Sequence, residues 1–258
     1  MKRPWTIPVG ILLLVAGIWE VGSRLSDLPA FILPPPSRIL AVAIGHAPQL
    51  LPHAGITLAE ILAGIVLALV VAVPLAVAMF AKPSLEKALA PLLVASQAIP
   101  VFALAPLLVV WLGYGLTSKI LMAAVIIFFP ITVSLLEGFR SCDASYRVLF
   151  TLMGAGFWQT LRRLYWPWAL PYFFAGLRVG VSVATIGAVI GEWVGAQQGL
   201  GYLMIQSNAR LKTDWVFAAI LWLSVMGLAL WYAVGGLERR YLGWKDLSEK
   251  TSKGGKSG

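Results

Sequence analysis

Long runs of apolar residues, separated by short polar stretches, dominate the hydrophobic pattern of this chain of 258 residues. The runs are continuously apolar, whereas barrel strands alternate, and each approaches the roughly 20 residues that a helix needs to cross about 30 Å of hydrocarbon. The pattern therefore predicts an all-α, polytopic membrane protein with about six transmembrane helices. The predicted spans cover approximately residues 5–21, 56–80, 88–112 (broken by prolines), 120–139, 172–194 and 216–237.

Composition and charge support this assignment. The chain is 59% hydrophobic and only 12% charged, about half the charged fraction of a soluble domain. A net charge of +9 would otherwise suggest a nucleic-acid partner, but the basic residues follow the membrane topology. With the N-terminus inside, fourteen Lys and Arg lie on the cytoplasmic side and five outside, as the positive-inside rule requires. We therefore expect both termini in the cytoplasm and no nucleic-acid partner.

The pattern divides the chain into three parts. Residues 1–54 are predicted to hold the first transmembrane helix and an external loop, residues 55–244 the helical core, and residues 245–258 a disordered cytoplasmic tail rich in Lys, Gly and Ser. The first apolar run follows basic residues as a signal peptide does, but no clear small-x-small cleavage site follows it. We therefore interpret it as an uncleaved span.

Two external loops carry turn and cap signals. Three prolines enforce extended backbone before Ser37, which is expected to cap a short surface helix over residues 38–44. The second loop, near residues 195–215, contains glycines and polar side chains. These side chains would either meet a solute or protein, or simply form a solvated loop.

The sequence lacks the groupings of residues that are typical of catalytic and metal sites. His46 and His53 lie in the first outer loop without a cysteine or carboxylate cluster, and the chain has no Gly-rich phosphate loop ending in Lys-Ser or Lys-Thr. Cys142 has no second cysteine to pair with. We therefore expect no catalytic residue, no metal site and no cofactor.

Ionisable residues within predicted spans usually face the interior of a bundle. Glu192, near the end of the fifth span, is a candidate for the translocation path, with a structural role as the alternative. Glu60 is expected to reach the outer interface, and Glu137 to pair with Arg140 three residues later. Arg178 is expected to extend to the inner headgroups.

The third predicted span combines a polar residue with several prolines. Gln97 and Pro100 lie between Pro91 and Pro106, and prolines free backbone carbonyls that need partners or a water-filled pathway. Taken one at a time, these residues are explained slightly better by a kinked core helix. As a group, they lead us to expect that this span lines the path.

The longest internal loop, near residues 140–171, contains the stretch GAGFWQTLRRLYWPWALP. Its apolar residues recur with helical spacing, but Gly154 and Gly156 predict a turn between two short helices. Arg162 and Arg163 would suit an anionic inner leaflet. From the residues alone, an amphipathic surface helix and a docking element remain open.

The segment MGAGFWQTLRRLYWPWALPYFFAGLRVG resembles the cytoplasmic EAA loop of ABC importer permeases. That pattern places a glycine after Glu-Ala-Ala and three more residues, and Leu-Pro seventeen residues downstream. Gly154 and the pair Leu170-Pro171 match this spacing, but Val148, Leu149 and Phe150 replace Glu-Ala-Ala. The resemblance implies an ATPase-coupling helix formed by Met153, Gly154, Ala155, Gly156, Phe157 and Trp158.

The resemblance extends over most of the chain, from about Leu33 to Trp244. The segments ASQAIPVFALAPLLVVWLGYGLTSKI, FFPITVSLLEGFRS and IGAVIGEWVGAQQGLGYLM are similar to permeases of the nitrate, sulfonate and taurine importer family. Within it, IPVFALAPLLVVWLGYG and GEWVGAQQGLGYL are most similar to members that carry thiamine-precursor pyrimidines or riboflavin.

The resemblance implies a type I ABC importer permease in the plasma (inner) membrane of a prokaryote. Its partners would be cytoplasmic ATP-binding subunits that perform the ATPase reaction, an external or periplasmic solute-binding protein, a second permease subunit in a homodimer, and the lipid bilayer. Gln97, Pro100 and Glu192 would line the translocation path. The alternative is a stand-alone secondary transporter, which has no need of a docking helix in the internal loop.

Overall fold

The computed structural model describes residues 6–26, 29 and 31–243, and within these ranges the chain is helical and contains no strand. The predicted tail, residues 245–258, lies outside the described residues. The all-α class is confirmed. The helices are α1 Thr6–Leu25, α2 Pro36–Gly45, α3 Ala47–Ala81, α4 Pro83–Ser96, α5 Val101–Leu112, α6 Leu116–Arg140, α7 Ala144–Leu152, α8 Phe157–Thr160, α9 Trp166–Trp193, α10 Leu200–Ala209 and α11 Thr213–Tyr241.

Among the described residues, five helical segments are long and apolar enough to cross a membrane, and a bent pair brings the number to six. The pair is α4 and α5, whose axes meet at 100°, so the predicted interruption of the third span is confirmed. A π-helical turn, Leu161–Tyr165, joins α8 to α9. Helix α3 begins at Ala47 rather than near residue 56, because polar residues that lower local hydropathy still belong to the helix.

The centre of the bundle is the antiparallel contact of α6 with α9, and α3 packs against both. Glycines of α9 face the backbone of α6 along this contact. A Cβ on Gly176 would lie 2.7 Å from the Pro130 carbonyl oxygen, and one on Gly187 would lie 2.9 Å from Ala123 Cα. Small residues of this kind let transmembrane helices approach closely where the hydrophobic effect cannot drive association.

The two ends of the bundle differ in chemistry. At the end that carries α7, called the α7 end, Phe80 contacts Phe139 and Tyr165 with ring centroids 5.2 and 4.7 Å apart. Arg140 there pairs with Glu137 at 3.0 Å, as predicted, and also with Glu86 of α4. The opposite end, called the α10 end, contains α2, α10 and the first turns of α3, α6 and α11.

One predicted contact of a polar side chain is wrong. Ser37 does not cap α2, because the N-cap is Pro35 and Ser37 already lies inside the helix. Its N–H and hydroxyl instead donate to the Glu20 carboxylate of α1, at 2.9 and 2.7 Å. The Glu20 carboxylate of α1 thus accepts from an N–H in the first turn of α2, which has no partner within its own helix.

Arg178 has partners on α11, and its expected extension to the inner headgroups stays a prediction. Its guanidinium pairs with Glu238 of α11 and lies 4.9 Å from the centroid of the Trp231 ring. An opposite charge and an aromatic face are available within the bundle, and in a medium of low dielectric constant they attract a cation strongly.

The glycine contact of α6 and α9 yields a stability prediction. Substituting Gly187→Val forces side-chain atoms into the Ala123 backbone, so we expect a loss of about 1–3 kcal/mol. Thermal unfolding of the detergent-purified protein measures this effect. Gly236→Val in α11 is the matched control, because a Cβ there meets nothing within 4 Å. Equal loss in both variants would show that helix propensity, not the close contact, sets the effect.

Candidate functional site

The segment that joins α7 to α8 is a sharp turn with exposed apolar side chains. Asp143 caps α7 by accepting a hydrogen bond from the Ser145 N–H at 2.7 Å, and this bond holds the pKa of the Asp143 carboxyl below its usual range. After α7 ends, Gly154 adopts a φ of +70°, a conformation that favours glycine. Gly156 is then the extended N-cap of α8.

This turn presents three large apolar residues to the surroundings. Leu152, Met153 and Trp158 are 80, 74 and 72% exposed. Val148 and Leu149, which replace the start of Glu-Ala-Ala, are also exposed, so this surface is apolar where the resembled pattern is acidic. We call the surface formed by Val148–Trp158 the coupling segment. The predicted turn between two helices is confirmed, and the six predicted coupling residues all lie at or beside it.

A cleft of about 420 Å³ lies where α4 and α5 bend away from each other. Gln97, at the end of α4, lines it, and α3 and α6 form the opposite wall. Pro100 is the N-cap of α5 and therefore sets the bend. Every other lining side chain is apolar except Ser96, whose hydroxyl donates to the Leu93 carbonyl at 2.7 Å. Gln97 is thus the polar group of the cleft whose hydrogen-bonding capacity is unused.

Glu192 does not lie at this cleft. The structure places it at the α10 end, 1% exposed, where its carboxylate meets the N-terminus of α10. The structure therefore brings Gln97 and Pro100 together and separates Glu192 from them. The assignment of all three to a translocation path stays a prediction.

Side chains from α3 and α9 satisfy the first backbone donors of α10. Gly199 N donates to His53 Nδ1 at 3.0 Å, and Leu200 N to Thr57 Oγ1 at 2.9 Å. The next two N–H groups, of Gly201 and Tyr202, donate to Glu192 Oε2 at 2.5 and 3.3 Å. The first N–H groups of a helix lack partners within it, and they favour negative charge. The Glu192 carboxylate therefore fastens α10 to the bundle.

Further polar groups are buried beside this carboxylate. Thr57 Oγ1 donates to Glu192 Oε1 at 2.6 Å. Glu60 is only 2% exposed, so the expectation that it reaches the outer interface is wrong, because α10 covers that end of α3. Lys119 of α6 donates to the carbonyl oxygens of Tyr114 and Gly115 at 2.5 and 3.0 Å. We call Thr57, Glu60, Lys119 and Glu192 the buried polar cluster.

Sequence reasoning did not find Thr57 or Lys119, and it did not link Glu60 to Glu192. One signal was present: two acidic residues in the outer halves of different predicted spans, of the kind that usually face each other inside a bundle. Thr57 carried no signal, because a threonine in an apolar run commonly bonds to its own helix.

The α10 contact yields a second prediction. Gly199 has a φ of +114°, and a Cβ there would lie 2.3 Å from Glu192 Cδ, so Gly199→Ala should displace the carboxylate or the loop. We expect roughly 10-fold or greater acceleration of amide hydrogen exchange in α10, because its anchoring bonds weaken. Gly236→Ala, in open space, is the control. Unchanged exchange in Gly199→Ala would contradict the anchoring role of the carboxylate.

Comparison with known proteins identifies relatives of most of the chain. Residues 61–242 match the family described as binding-protein-dependent transport system inner membrane component. A probable ABC transporter permease protein of Haemophilus influenzae is 42% identical over 91% of this chain and 94% of its own length. The formylaminopyrimidine transport permease protein ThiX of Halalkalibacterium halodurans is 40% identical over 95% of this chain and 99% of its own length. The riboflavin transport system permease protein RibX of Chloroflexus aurantiacus is 41% identical over 93% of this chain and 90% of its own length.

A solved structure shares the fold. An inward-facing conformation of the MetNI methionine ABC transporter aligns with a TM-score of 0.66 at 19% identity, covering 74% of this chain and 95% of the matched chain. The predicted type I importer architecture is therefore confirmed. On the family match and the identity to these relatives, the chain belongs to the binding-protein-dependent transport system inner membrane components, the permease subunits of ABC importers.

Proposed function

We propose that two copies of this chain enclose the membrane pathway of an ATP-driven importer. Cytoplasmic ATP-binding subunits dock on the coupling segment at the α7 end, and an external solute-binding protein delivers solute at the α10 end. This orientation, with both termini in the cytoplasm, is supported by the excess of Lys and Arg on the α7 side. A stand-alone secondary transporter does not fit a family of binding-protein-dependent components.

The observation that carries the docking role is the exposure of Leu152, Met153 and Trp158. Large apolar side chains clustered on an exposed turn are typical of a protein-protein interface. Since Val148 replaces the glutamate of the resembled loop, the contact with the ATPase depends here on apolar packing rather than on an acidic residue. The ATPase reaction belongs to the docked subunit, and this chain performs no chemistry of its own.

The coupling segment can transmit movement because both of its ends are fixed to the core. On one side it continues from α6, whose last residue, Arg140, is held by ion pairs with Glu86 and Glu137. On the other side it continues into α9 through the π-helical turn. Phe157 of α8 also approaches Phe80 of α3, with ring centroids 6.5 Å apart. When ATP binding draws the two ATPase subunits together, a docked segment therefore pulls α3, α6 and α9 with it.

The cleft at the α4–α5 bend favours a solute without net charge. Its lining contains an amide, a hydroxyl and apolar side chains, with no Lys or Arg. A sulfonate or nitrate anion would lose its hydration there without gaining a cationic partner. A small planar heterocycle gains apolar contact and a hydrogen bond to Gln97. We therefore propose a pyrimidine or flavin solute, the class named for ThiX and RibX.

The docking role predicts that Gly154→Trp abolishes ATP-driven uptake while the permease dimer persists. An indole at a φ of +70° strains the turn and alters the surface that the ATPase meets. Co-purification with the ATPase subunits and uptake into proteoliposomes measure the effect. Gly113→Trp is the matched control, with a φ of +80° and open space, but near the α10 end. Normal uptake and normal ATPase retention by Gly154→Trp would refute docking at this turn.

The solute assignment predicts that Gln97→Leu lowers uptake of a neutral pyrimidine by about 2- to 10-fold, the value of one hydrogen bond. Uptake by the complete importer, with its binding protein, measures this change. Ser96→Ala should have little effect, because the Ser96 hydroxyl already bonds to Leu93. Preferential uptake of a sulfonate by the unmodified importer would exclude the proposed solute class while leaving the importer assignment intact.

A further inference from the structure

The buried polar cluster holds more acidic groups than it has cations to balance them. Glu60 and Glu192 are 2 and 1% exposed and lie within hydrogen-bonding reach of each other, and Lys119, 3% exposed, is the cation beside them. Two ionised carboxylates in contact repel strongly when both are removed from water. One cation balances one carboxylate, so one of the two acids must be neutral.

The hydrogen bonds show which acid is ionised. Glu192 accepts from the Thr57 hydroxyl and from the N–H groups of Gly201 and Tyr202. Three donors and a helix N-terminus all stabilise the charged form of that carboxylate. Glu60 has no such donors, and its Oε2 atom is fully enclosed without a hydrogen-bond partner. A buried acceptor without a donor is unfavourable, whereas a protonated Glu60 becomes a donor itself.

No polar group of the described residues donates a hydrogen bond to Glu60 Oε2. On α3, His53 uses its Nδ1 atom to accept from Gly199, and Thr57 donates to Glu192. The Lys119 ammonium on α6 donates to two backbone carbonyl oxygens, and it is not hydrogen-bonded to Glu60 Oε2. On α10, the Tyr202 hydroxyl is hydrogen-bonded to Gln206 at 2.6 Å and not to Glu60 Oε2. The acid that remains next to Glu60 is Glu192, an acceptor.

We propose that Glu60 is held as a neutral carboxylic acid and that its proton forms a hydrogen bond to Glu192. Glu60 is thus a positioning residue: it holds the Glu192 carboxylate in place at the N-terminus of α10. The bond joins α3 to α9, and through Glu192 both helices hold α10. These three elements therefore move as one unit when the importer changes conformation. The inference concerns the α10 end alone and does not depend on the solute or on the docking site.

Infrared spectroscopy of the purified chain in lipid tests the protonation directly. A protonated carboxyl absorbs at a frequency separate from that of a carboxylate. We expect such a band in the unmodified protein from mildly acidic to mildly alkaline pH, and we expect Glu60→Gln to remove it. Glu137→Gln, at an exposed ion-paired carboxylate, is the matched control and should leave the band unchanged. A band that is absent at neutral pH, or that persists in Glu60→Gln, would overturn the proposal.

Amide hydrogen exchange at Gly201 and Tyr202 tests the positioning role. The Glu60→Gln side chain keeps a neutral donor, so exchange should stay close to that of the unmodified protein. Glu60→Leu and Glu192→Gln remove the donor or the charge, and each should accelerate exchange by roughly 10- to 100-fold. If Glu60→Leu does not fold, the comparison of Glu60→Gln with Glu192→Gln still decides the result. Equal acceleration in those two variants would show that Glu60 acts through its charge and not through a proton.

Discussion

The close contact between α6 and α9 is the constraint on which the other features of this permease depend. Gly176 and Gly187 bring the two helix backbones together where any side chain would collide. In a bilayer the surrounding lipid is as apolar as leucine, so such packing replaces the hydrophobic effect as the source of association. Because the two helices run antiparallel, their contact fixes both ends of the bundle at once.

At the α7 end, this contact positions the coupling segment. Helix α6 ends at Arg140 and the antiparallel α9 begins at Trp166. The chain between them must therefore reverse its direction at this end of the bundle. Gly154 makes that turn, and the apolar side chains beside it stay exposed because no other element of the described chain covers them. A movement imposed on this segment reaches α6 and α9 directly.

At the α10 end, the same contact places Lys119 next to Gly191 and therefore next to Glu192. Helix α10 begins at buried residues, so water cannot easily reach its first N–H groups, and each of these groups needs a partner in the protein. Glu192, Thr57 and His53 supply those partners. Helix α10 is therefore held at its N-terminus by polar side chains of α3 and α9.

The sequence by itself determined the membrane class, the number of spans, the interruption at Pro100, the Glu137–Arg140 pair and the turn at Gly154. These features depend on local properties: continuous apolar length, backbone restrictions of proline and glycine, and side chains three residues apart. Only the tertiary structure decided the partners of Ser37, Glu60, Arg178 and Glu192. Each of them has its partner on another helix. The sequence offers several possible partners for a polar side chain in an apolar run and does not say which one lies next to it. The packing of small residues along α6 and α9 selects which of those residues meet, and that choice cannot be read from one helix at a time.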